Sequence, residues 1–435
     1  MEKLEEGDMF LWYGLPALAV DNKIALFSNL EGNLKVIELE EAELDDKDTY
    51  LYAKQNGLFD CLVNYAGTDD NKTTLVLTLT RCCNSLCRYC FLSANVRGKT
   101  MTKEMIYSAI DKAFDLSKGK KLVISFLGGE PTFKFQLLKA GVLYAEQHPL
   151  NAEGKELQFG ITTNGTFNDE MADFFIQHKF KVSVSLDGTP EIQDFHRPLA
   201  NGTKPSAIIE KNILKLSKVL PVKTLGTTTN FSVNKMSESV EYFAKLGVKR
   251  AFFNPVTERG RGITTDTRLL PPTPDDFVDN LKKAISTGEK LGVDVISFPY
   301  MNLTSCPMKY CKGNRLVVNY NGDVSSCVEI QESEHPLFDT FKIGYFKEET
   351  QKILINKPLH KCSESQNISE KCKKCPLSFF CGEGCPARNF IGSSNQYEID
   401  NYRCLITKKI MPFILKRVYI STYKKQNERI ENDFR

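Results

Sequence analysis

The chain has 435 residues, of which 41% are hydrophobic and 26% are charged, so it is long enough for one large core with smaller domains attached. Its 57 basic and 54 acidic residues leave a net charge of +3, which gives no reason to expect nucleic acid or a membrane surface as a partner. The sequence contains no run of about 18 apolar residues, which a transmembrane helix would need. Its polar start, Met1–Glu6, lacks the apolar stretch of a secretory signal. We therefore expect a cytoplasmic protein.

Residues 1–72 are predicted to form a small N-terminal α+β domain. Three apolar runs are separated by turn signals, and a helix is expected after them. The runs are Phe10–Tyr13, Ile24–Phe27 and Leu34–Leu39, and the helix is Asp46–Gln55. The stretch contains no catalytic cluster. Two interpretations stay open: a structural cap, or a module that docks a peptide.

Residues 73–300 alternate between strand-like and helix-like segments. The strand-like segments are Thr74–Thr80, Leu122–Phe126, Leu157–Thr162, Lys181–Leu186, Val222–Thr229 and Arg250–Asn254. Such alternation is typical of parallel βαβ units. Six units favour an α/β fold with a partial (βα)6 TIM-type barrel over a doubly wound open sheet. Polar or glycine residues follow nearly every strand, and in barrels of this type the carboxyl ends of the strands carry the chemistry.

Cysteine dominates the rest of the chain. Nine of the 14 cysteines lie between Cys306 and Cys404, and in a reducing compartment such a group indicates metal sites rather than disulfides. We therefore predict a small cysteine-rich domain at 301–410 that is held together by its metals more than by an apolar core. Residues 411–435 are basic and are expected to form a terminal helix or tail.

The first cysteine group lies directly after the first predicted barrel strand. Its spacing, Cys83-x3-Cys87-x2-Cys90, places three thiolates on one loop. Thiolates are soft ligands that favour iron–sulfur clusters or zinc, and a structural zinc site needs four ligands. Three ligands on one loop leave a fourth coordination position open, as a catalytic metal requires. We interpret the adjacent Cys82 as a bystander.

This loop and the motif after the next strand carry a family resemblance. Tyr89 precedes the last cysteine of the loop, and Gly128-Gly129-Glu130-Pro131 follows the second strand. Together with the cysteine spacing, these residues resemble the radical S-adenosylmethionine (SAM) superfamily. The resemblance implies a 4Fe–4S cluster whose open iron binds the amino and carboxylate groups of SAM. One electron from the cluster then cleaves SAM to a 5′-deoxyadenosyl radical, which abstracts hydrogen from a substrate.

The resemblance also implies a set of SAM contacts at the strand ends. The implied cofactor-binding residues are Tyr89, Gly128, Gly129, Glu130, Pro131, Thr163, Asn164, Ser185, Asp187, Arg197 and Asn254. Glu130 is expected at the methionine amino group and Ser185 at the ribose. Arg197 is expected to pair with the cofactor carboxylate, since a guanidinium fork suits that group, and Asn254 is expected on the adenine side. Taken singly, each residue also fits ordinary turn chemistry.

Eight further cysteines follow an ordered pattern, with an Asn321-Gly322 hairpin signal ahead of Cys327. From the residues alone, two zinc sites remain an alternative to iron–sulfur clusters. The pattern resembles the SPASM extension of radical SAM enzymes, which implies two auxiliary 4Fe–4S clusters and three clusters in all. By that resemblance Cys306, Cys311, Cys327 and Cys385 bind the first auxiliary cluster, and Cys372, Cys375, Cys381 and Cys404 bind the second.

SPASM enzymes mostly act on peptides or proteins, and an electron donor such as flavodoxin or ferredoxin is implied. The favoured interpretation is a maturase that installs a thioether or a carbon–carbon cross-link in a ribosomally made precursor peptide. One alternative is an anaerobic sulfatase-maturing enzyme, which oxidises Cys or Ser to formylglycine. Another is a non-catalytic iron–sulfur electron-transfer protein. An open iron also predicts oxygen sensitivity and an anaerobic host.

Two features favour the peptide maturase. The cysteine loop begins 82 residues into the chain, behind residues 1–72, whereas sulfatase-maturing relatives usually begin close to that loop. Those relatives also place an aspartate base directly after the cysteine that matches Cys327, and here Val328 takes that place. Glu329 follows and is the candidate general base. The sequence defines neither the precursor peptide nor the residues that are joined.

Overall fold

The computed structural model describes residues 4–12, 15–30, 33–44, 47–55, 72–117, 121–153, 155–300, 315–331, 333–358, 370–381, 384–394 and 398–433. Contacts divide the chain into two units: the smaller takes in Met1–Gly67, Ser297–Tyr310 and Cys362–Arg435, and the larger takes in Thr68–Ile296 and Cys311–Lys361. The boundary predicted at residue 72 lies near the first division. The predicted domain at 301–410 is shared between the two units.

The N-terminal part of the smaller unit is a four-stranded antiparallel sheet whose strands follow chain order. Its strands are β1 (Met9–Trp12), β2 (Leu15–Val20), β3 (Lys23–Leu30) and β4 (Asn33–Leu39), and helix α1 (Lys47–Gln55) follows. Asp21 and Asn22 have φ angles of 51° and 62° between β2 and β3, as a two-residue hairpin turn requires. The predicted apolar runs lie in β1, β3 and β4, with Tyr13 outside the described residues.

Six parallel strands form the centre of the sheet in the larger unit and confirm the predicted α/β class. They are β5 (Lys72–Thr80), β6 (Lys121–Gly128), β7 (Glu156–Thr163), β8 (Lys181–Val184), β9 (Val222–Thr228) and β10 (Arg250–Pro255). The strands are neighbours in that order, and all six coincide with predicted segments. Because parallel neighbours end at the same edge of a sheet, the loops that follow these strands share that edge.

The sheet continues beyond these six strands on both sides, which the sequence did not predict. Strand β11 (Asp294–Ile296) pairs in parallel with β10, and β12 (Arg315–Val318) pairs in parallel with β5. The antiparallel strands β13 (Asp323–Ser325), β14 (Lys342–Lys347) and β15 (Lys352–Ile355) follow β12. Gly322, at a φ of 87°, makes the predicted turn between β12 and β13. Strands β11 and β13 have only three residues each, which is too few to show a period in the sequence.

Helices connect the parallel strands and bury one face each. The helices of the larger unit are α2 (Lys103–Leu116), α3 (Phe135–Glu146), α4 (Asp169–Gln177), α5 (Pro190–His196), α6 (Ser206–Leu216), α7 (Met236–Lys245), α8 (Pro274–Leu291) and α9 (Phe338–Phe341). Thr102, Asn168 and Thr273 each accept a hydrogen bond from a backbone N–H in the first turn of α2, α4 and α8. These N-caps stabilise the helix starts by about 1 kcal/mol each.

The core between the sheet and these helices is rich in phenylalanine. Seven phenylalanines are fully buried there: Phe114, Phe126, Phe175, Phe180, Phe243, Phe253 and Phe277. The Phe159 and Phe180 ring centroids lie 5.5 Å apart. Burial of each such ring stabilises the fold by roughly 1.5–3 kcal/mol, so the strand ends that carry the predicted motifs rest on a well-packed layer.

The C-terminal helices of the smaller unit are α10 (Glu370–Lys373), α11 (Ser378–Cys381), α12 (Pro386–Ser393) and α13 (Asn401–Asp433). Lys416 ties α13 to the N-terminal sheet: its Nζ lies 2.7 Å from Glu6 Oε1 and 3.0 Å from Asp21 Oδ1. Tyr419 OH donates to Glu38. The terminal helix predicted from residue 411 begins earlier, at Asn401. Among the described residues, no helix combines the length and apolar character needed to span a membrane.

Candidate functional site

The loops after the parallel strands are joined by backbone hydrogen bonds at the carboxyl edge of the sheet. The cysteine loop leaves β5 at Thr80, where pairing with β6 shifts register. Gly129 N donates to Thr80 O at 2.7 Å, and Glu130 N donates to Cys82 O at 2.9 Å. The predicted cysteine and Gly-Gly-Glu-Pro motifs are therefore side by side.

The three thiols of the cysteine loop lie in a largely dry setting. Cys83 and Cys87 are buried, and Cys90 is partly exposed. Burial raises the pKa of Cys83 to about 12, with the Glu130 carboxylate acting in the same direction. Burial also raises the pKa of Cys87, against the opposing charge of Arg197. Buried thiolates are unfavourable without a compensating cation, which a metal cluster supplies. This donor set fits an iron–sulfur cluster.

Two glycines let the loop after β6 press against the cysteine loop. Gly128 has a φ of 141°, and an added Cβ would stand 2.4 Å from Thr80 O. A Cβ on Gly129 would stand 2.4 Å from Cys82 O. Neither position can take a larger residue unless the chain that leads to Cys83 moves. Close backbone approach is thus the structural role of the glycine pair.

Glu130 is buried and bridges the loops after β6 and β7. Its Oε1 accepts from Thr132 N at 3.0 Å, Thr132 Oγ1 at 2.7 Å and Thr163 Oγ1 at 2.9 Å, and its Oε2 accepts from Asn164 N at 2.6 Å. Burial raises the pKa of Glu130, and these hydrogen bonds oppose the rise. Pro131 starts the turn that places Thr132. Contact of Glu130 with the SAM amino group stays a prediction.

Asn164 binds the cysteine loop directly. Its Nδ2 donates to Asn84 Oδ1 at 2.7 Å and to Ser85 Oγ at 2.9 Å. Asn84 and Ser85 lie between Cys83 and Cys87. The structure therefore shows that this predicted SAM contact supports the loop that carries the thiols.

A buried carboxylate organises the other side of the loop. Asp187 Oδ2 accepts from Tyr89 OH and from Arg197 Nε at 3.0 Å, and His196 Nδ1 lies 3.0 Å from it. Asp187 Oδ1 accepts from Arg197 Nη2 at 2.9 Å and Thr227 N at 2.8 Å. Burial acts to raise the pKa of Asp187, but Arg197 and His196 outweigh it and hold the pKa well below its usual range. The carboxylate therefore stays ionised.

This network gives Arg197 and Tyr89 protein partners that the sequence did not predict. Arg197 Nε and Nη2 donate to Asp187, because that buried carboxylate lies within reach. Pairing of Arg197 with the SAM carboxylate stays a prediction. The Arg197 guanidinium also lies 5.3 Å from the centroid of the Tyr89 ring, as in a cation–π contact. A guanidinium fork suits any carboxylate, so the sequence could not tell which one it binds. The geometry makes Arg197 and Tyr89 supports of the cysteine loop.

Arg261, in the loop after β10, was missed by the sequence analysis. Its backbone N donates to Cys90 O at 3.0 Å, its Nε to Cys87 O at 2.8 Å and its Nη1 to Ala94 O at 2.8 Å. Among the described residues its buried Nη2 has no hydrogen-bond partner. Gly260 permits this approach, since a Cβ there would stand 2.6 Å from Cys90 O. The glycines that flank Arg261 were the available sequence signal.

Ser185 and Asn254 lie at or near strand ends and are partly exposed. The Ser185 backbone N donates to Thr163 O at 2.8 Å. Its hydroxyl makes no hydrogen bond with a described residue, which leaves it available to a ligand. Asn254 lies in β10 and has a protein partner. Contacts of these two residues with ribose and adenine stay predictions.

Glu329, the predicted general base, is half of an ion pair. Its Oε2 lies 3.2 Å from Arg259 Nη1, and its backbone O accepts from Arg259 Nη2 at 3.2 Å. The two residues line a cavity of about 40 Å³ together with Arg81, Phe91, Leu92, Gln331 and His335. Because Phe91 and Leu92 directly follow Cys90, the Glu329 carboxylate lies near the cysteine loop.

Four cysteines of the smaller unit line one cavity of about 30 Å³: Cys372, Cys375, Cys381 and Cys404. Burial raises the pKa of Cys381 to about 11, with Cys404 and Cys375 adding to the effect. These are the four cysteines predicted for the second auxiliary cluster. Four thiolates without histidine fit an iron–sulfur cluster.

The cysteines predicted for the first auxiliary cluster are only partly described. Cys327 is buried after β13, and Cys385 caps α12. Cys306 and Cys311 lie outside the described residues. None of the ten described cysteines forms a disulfide with another described residue. Within the described ranges, no three His, Cys, Asp or Glu side chains have the geometry of a single-ion site. The four cysteines of a 4Fe–4S cluster each bind a separate iron.

Comparison with known sequences agrees with this arrangement. The model of the radical SAM superfamily matches residues 77–243. An uncharacterized protein of Methanocaldococcus jannaschii is 30% identical over 269 residues, covering 60% of this chain and 87% of the relative. A cysteine-type anaerobic sulfatase-maturating enzyme of Clostridium novyi is 26% identical over 370 residues, covering 78% of this chain and 94% of that enzyme.

Solved structures share the fold. The structure of anSMEcpe with bound AdoMet and the Cp18Cys peptide matches with a TM-score of 0.63 at 19% identity, covering 81% of this chain and 99% of that one. Streptococcus suis SuiB bound to precursor peptide SuiA matches with a TM-score of 0.53 at 16% identity, covering 91% and 98%. Sequence, fold and cysteine loop lead to one conclusion: the chain belongs to the radical SAM superfamily.

Proposed function

We propose that this radical SAM enzyme installs a thioether or a carbon–carbon cross-link in a ribosomally made precursor peptide. The observation that carries the proposal is a second thiol site, the four-cysteine cavity, besides the cysteine loop. A cross-link forms with net loss of two hydrogens: one leaves as an atom, and the other leaves as a proton and an electron. A second metal site can take up that electron, as a SPASM domain with auxiliary clusters would do.

Cys83, Cys87 and Cys90 would hold the initiating 4Fe–4S cluster. Together with SAM, the bound cluster supplies the 5′-deoxyadenosyl radical that takes a hydrogen atom from the peptide. The protein's own part is to fix the loop and exclude water. Asn164 and Arg261 hold the loop through its side chains and carbonyls, and Tyr89 anchors it to the buried carboxylate of Asp187.

The auxiliary clusters are assigned by the same matching of thiols. We assign Cys372, Cys375, Cys381 and Cys404 to one 4Fe–4S cluster, which the cavity they share supports. We assign Cys306, Cys311, Cys327 and Cys385 to the other. An external donor such as flavodoxin or ferredoxin would supply the electron that SAM cleavage consumes.

Glu329 is our candidate for the group that accepts the proton. Arg259 holds its carboxylate in a cavity beside Phe91, one residue after the last cysteine of the loop. A carboxylate fixed in this way can take a proton from a peptide thiol or carbon as the new bond forms. The neutral variant Glu329→Gln is expected to slow cross-linking while SAM is still cleaved.

The N-terminal sheet is our candidate for leader-peptide binding. Its strands β1 and β4 are the sheet edges, and an extended peptide can add to such an edge as a further strand. The fold match to SuiB, whose structure contains the precursor peptide SuiA, spans 91% of this chain. The test takes as precursor a short Cys-rich or aromatic-patterned peptide from a reading frame that neighbours this gene. Hydrogen exchange with that peptide should show new protection in β1 or β4. Unchanged exchange in both strands would contradict leader docking.

Sulfatase maturation is the second candidate function, because a cysteine-type anaerobic sulfatase-maturating enzyme is 26% identical over 370 residues. One feature speaks against it: Val328 stands where such enzymes are expected to have an aspartate. Formylglycine is an aldehyde, whereas a cross-link is not. Reaction of the modified peptide with a hydrazide would therefore favour the sulfatase activity.

The central test uses the reduced holoenzyme, SAM and the neighbouring precursor peptide. We expect 5′-deoxyadenosine together with a peptide that is lighter by two hydrogens and linked internally in tandem mass spectra. A variant with Cys83, Cys87 and Cys90 replaced by Ala should form no 5′-deoxyadenosine and keep about two thirds of the iron. Full activity of that variant would refute the proposal, and 5′-deoxyadenosine without any peptide change would reject this substrate.

A further inference from the structure

We propose that a lysine-lined cavity in the smaller unit docks an acidic electron-carrier protein next to the four-cysteine cavity. The inference rests on the proposed function, because it assumes that those four thiols hold an auxiliary cluster. Through this surface, the electron released in cross-linking would leave the protein and pass to a carrier with an acidic surface.

The cavity has a volume of about 380 Å³ and is open to solvent. Three exposed lysines, Lys371, Lys374 and Lys408, line it. Its other lining residues are Gly7, Asp8, Met9, Cys375, Pro376, Leu377 and Pro412. The only carboxylate among these lining residues is Asp8, so the lysines outnumber it three to one.

The lysines of this cavity lack ion-pair partners among the residues that the structure describes. None of the three forms an ion pair with a described residue, whereas two neighbouring lysines do. Lys373 pairs with Glu370, and Lys416 pairs with Glu6 and Asp21. On a chain with a net charge of only +3, a group of unpaired lysines marks a site for a negatively charged partner.

The lysine-lined cavity adjoins the four-cysteine cavity. Cys375, Leu377 and Lys408 line both cavities. Cys375 is partly exposed, so one thiol of the four-cysteine set faces the space that the lysines surround. A protein seated on the lysines would therefore lie against a ligand of the proposed auxiliary cluster. The two observations are independent, since the first concerns charge and the second concerns the position of a thiol.

A carrier protein with a carboxylate-rich surface fits these features. Complementary charges speed diffusional encounter and favour short-lived complexes, as electron transfer requires. In the proposed step one electron passes from the reduced auxiliary cluster to the oxidised carrier. The cluster is oxidised by one electron, the carrier is reduced by one, and no bond is made or broken.

The test uses holoenzyme reduced with dithionite, freed of the reductant and mixed with an oxidised acidic ferredoxin in a stopped-flow spectrometer. The variant Lys371→Glu, Lys374→Glu, Lys408→Glu should reduce the carrier about tenfold more slowly at low ionic strength. The difference should shrink at high salt, because salt screens surface charges. The milder variant with Gln at the same three positions should reduce the carrier at a rate between those of the Glu variant and the wild type.

A matched control changes three exposed lysines of the larger unit, Lys218→Glu, Lys245→Glu and Lys290→Glu. Equal slowing by the control, or no slowing by the first variant, would overturn the docking site. A lysine variant that binds the precursor peptide more weakly but reduces the carrier at the wild-type rate would assign the cavity to the peptide. That outcome would also overturn the docking site. Iron content distinguishes failure of the docking site from failure of the cluster assignment. Full iron content after Cys372→Ala and Cys375→Ala would contradict the proposed cluster itself.

Discussion

The cysteine loop of the larger unit and the four-cysteine cavity of the smaller unit hold their thiols in different ways. In the cysteine loop, Asn164, Arg261 and Tyr89 bind the segment around the thiols, and a buried ion pair supports Tyr89. In the cavity, two of the thiols lie on helices of only four residues, and three of the four are partly exposed. On the proposed assignment, contacts within the protein fix the thiols of the site that has an open coordination position. A closed set of four thiolates can instead be held in place by the metal cluster that it binds.

Removal of iron should give the largest difference between the two regions. Where thiols define the fold, the free energy of metal binding is free energy of folding. Chelation should therefore remove amide protection from residues 370–404, while residues 81–94 keep most of theirs. Hydrogen exchange followed by mass spectrometry measures both in one sample. Equal loss of protection in the two segments would contradict the comparison.

The variant Asp187→Asn should cause the largest loss of stability in the larger unit. It leaves the Arg197 guanidinium buried without its partner, which costs about 3–5 kcal/mol of unfolding free energy. Urea denaturation of the holoprotein measures the loss. The exposed pair of Asp169 with Lys211 offers a control, since loss of an exposed ion pair should lower the unfolding free energy much less than loss of the buried pair.

The same pair gives a pH dependence with a defined sign. Because the folded-state pKa of Asp187 is depressed, its stabilisation is present above the ordinary Asp pKa of about 3.9 and is lost as pH falls further. The difference in stability between wild type and Asp187→Asn should therefore be constant near neutral pH and narrow below about pH 4. A difference that narrows between pH 7 and pH 5 would show that another group is responsible.

Replacement of Arg261 should have an intermediate effect that is confined to the cysteine loop. Arg261→Met removes the side-chain hydrogen bonds to Cys87 O and Ala94 O, which together are worth about 2 kcal/mol. We expect up to about thirtyfold faster release of the initiating cluster's iron to a chelator. Arg268→Met, at an exposed pair with Asp266, should release iron at the wild-type rate. Identical rates of iron release in both variants would show that Arg261 does not stabilise the cysteine loop.

The smallest effect is expected at Ser185. Its hydroxyl has no hydrogen bond with a described residue, so Ser185→Ala should leave stability unchanged. If it binds the SAM ribose, its loss should raise KM for SAM by roughly three- to tenfold with little change in kcat, as expected for one hydrogen bond. Ser286→Ala, on α8, serves as the matched control. An unchanged KM would exclude the predicted ribose contact.

Much of the fold was predictable because strong local patterns coincide with it. The six parallel strands carry runs of β-branched and aromatic residues between amphipathic helices, and each was found where it was expected. The resemblance to the SPASM extension grouped in advance the four thiols that line the cavity. Short strands such as β11 and β13 were missed, because three residues show no period.

The interior of the site was less predictable, because it depends on contacts between distant residues. Arg197 could have paired with any carboxylate, and only the folded chain shows that its Nε and Nη2 donate to Asp187. Arg261 lies 174 residues from Cys87, whose carbonyl it binds. No local pattern reports such a contact, although the flanking glycines were a sign that two backbones approach closely.

The smaller unit is assembled from residues near both ends of the chain, since 1–67 and 362–435 belong together. During synthesis, strands β1–β4 leave the ribosome long before α13, to which Lys416 and Tyr419 connect them. Contacts across so great a sequence separation form late. The larger unit can therefore fold while translation continues, whereas the smaller unit can be completed only after α13 has been made.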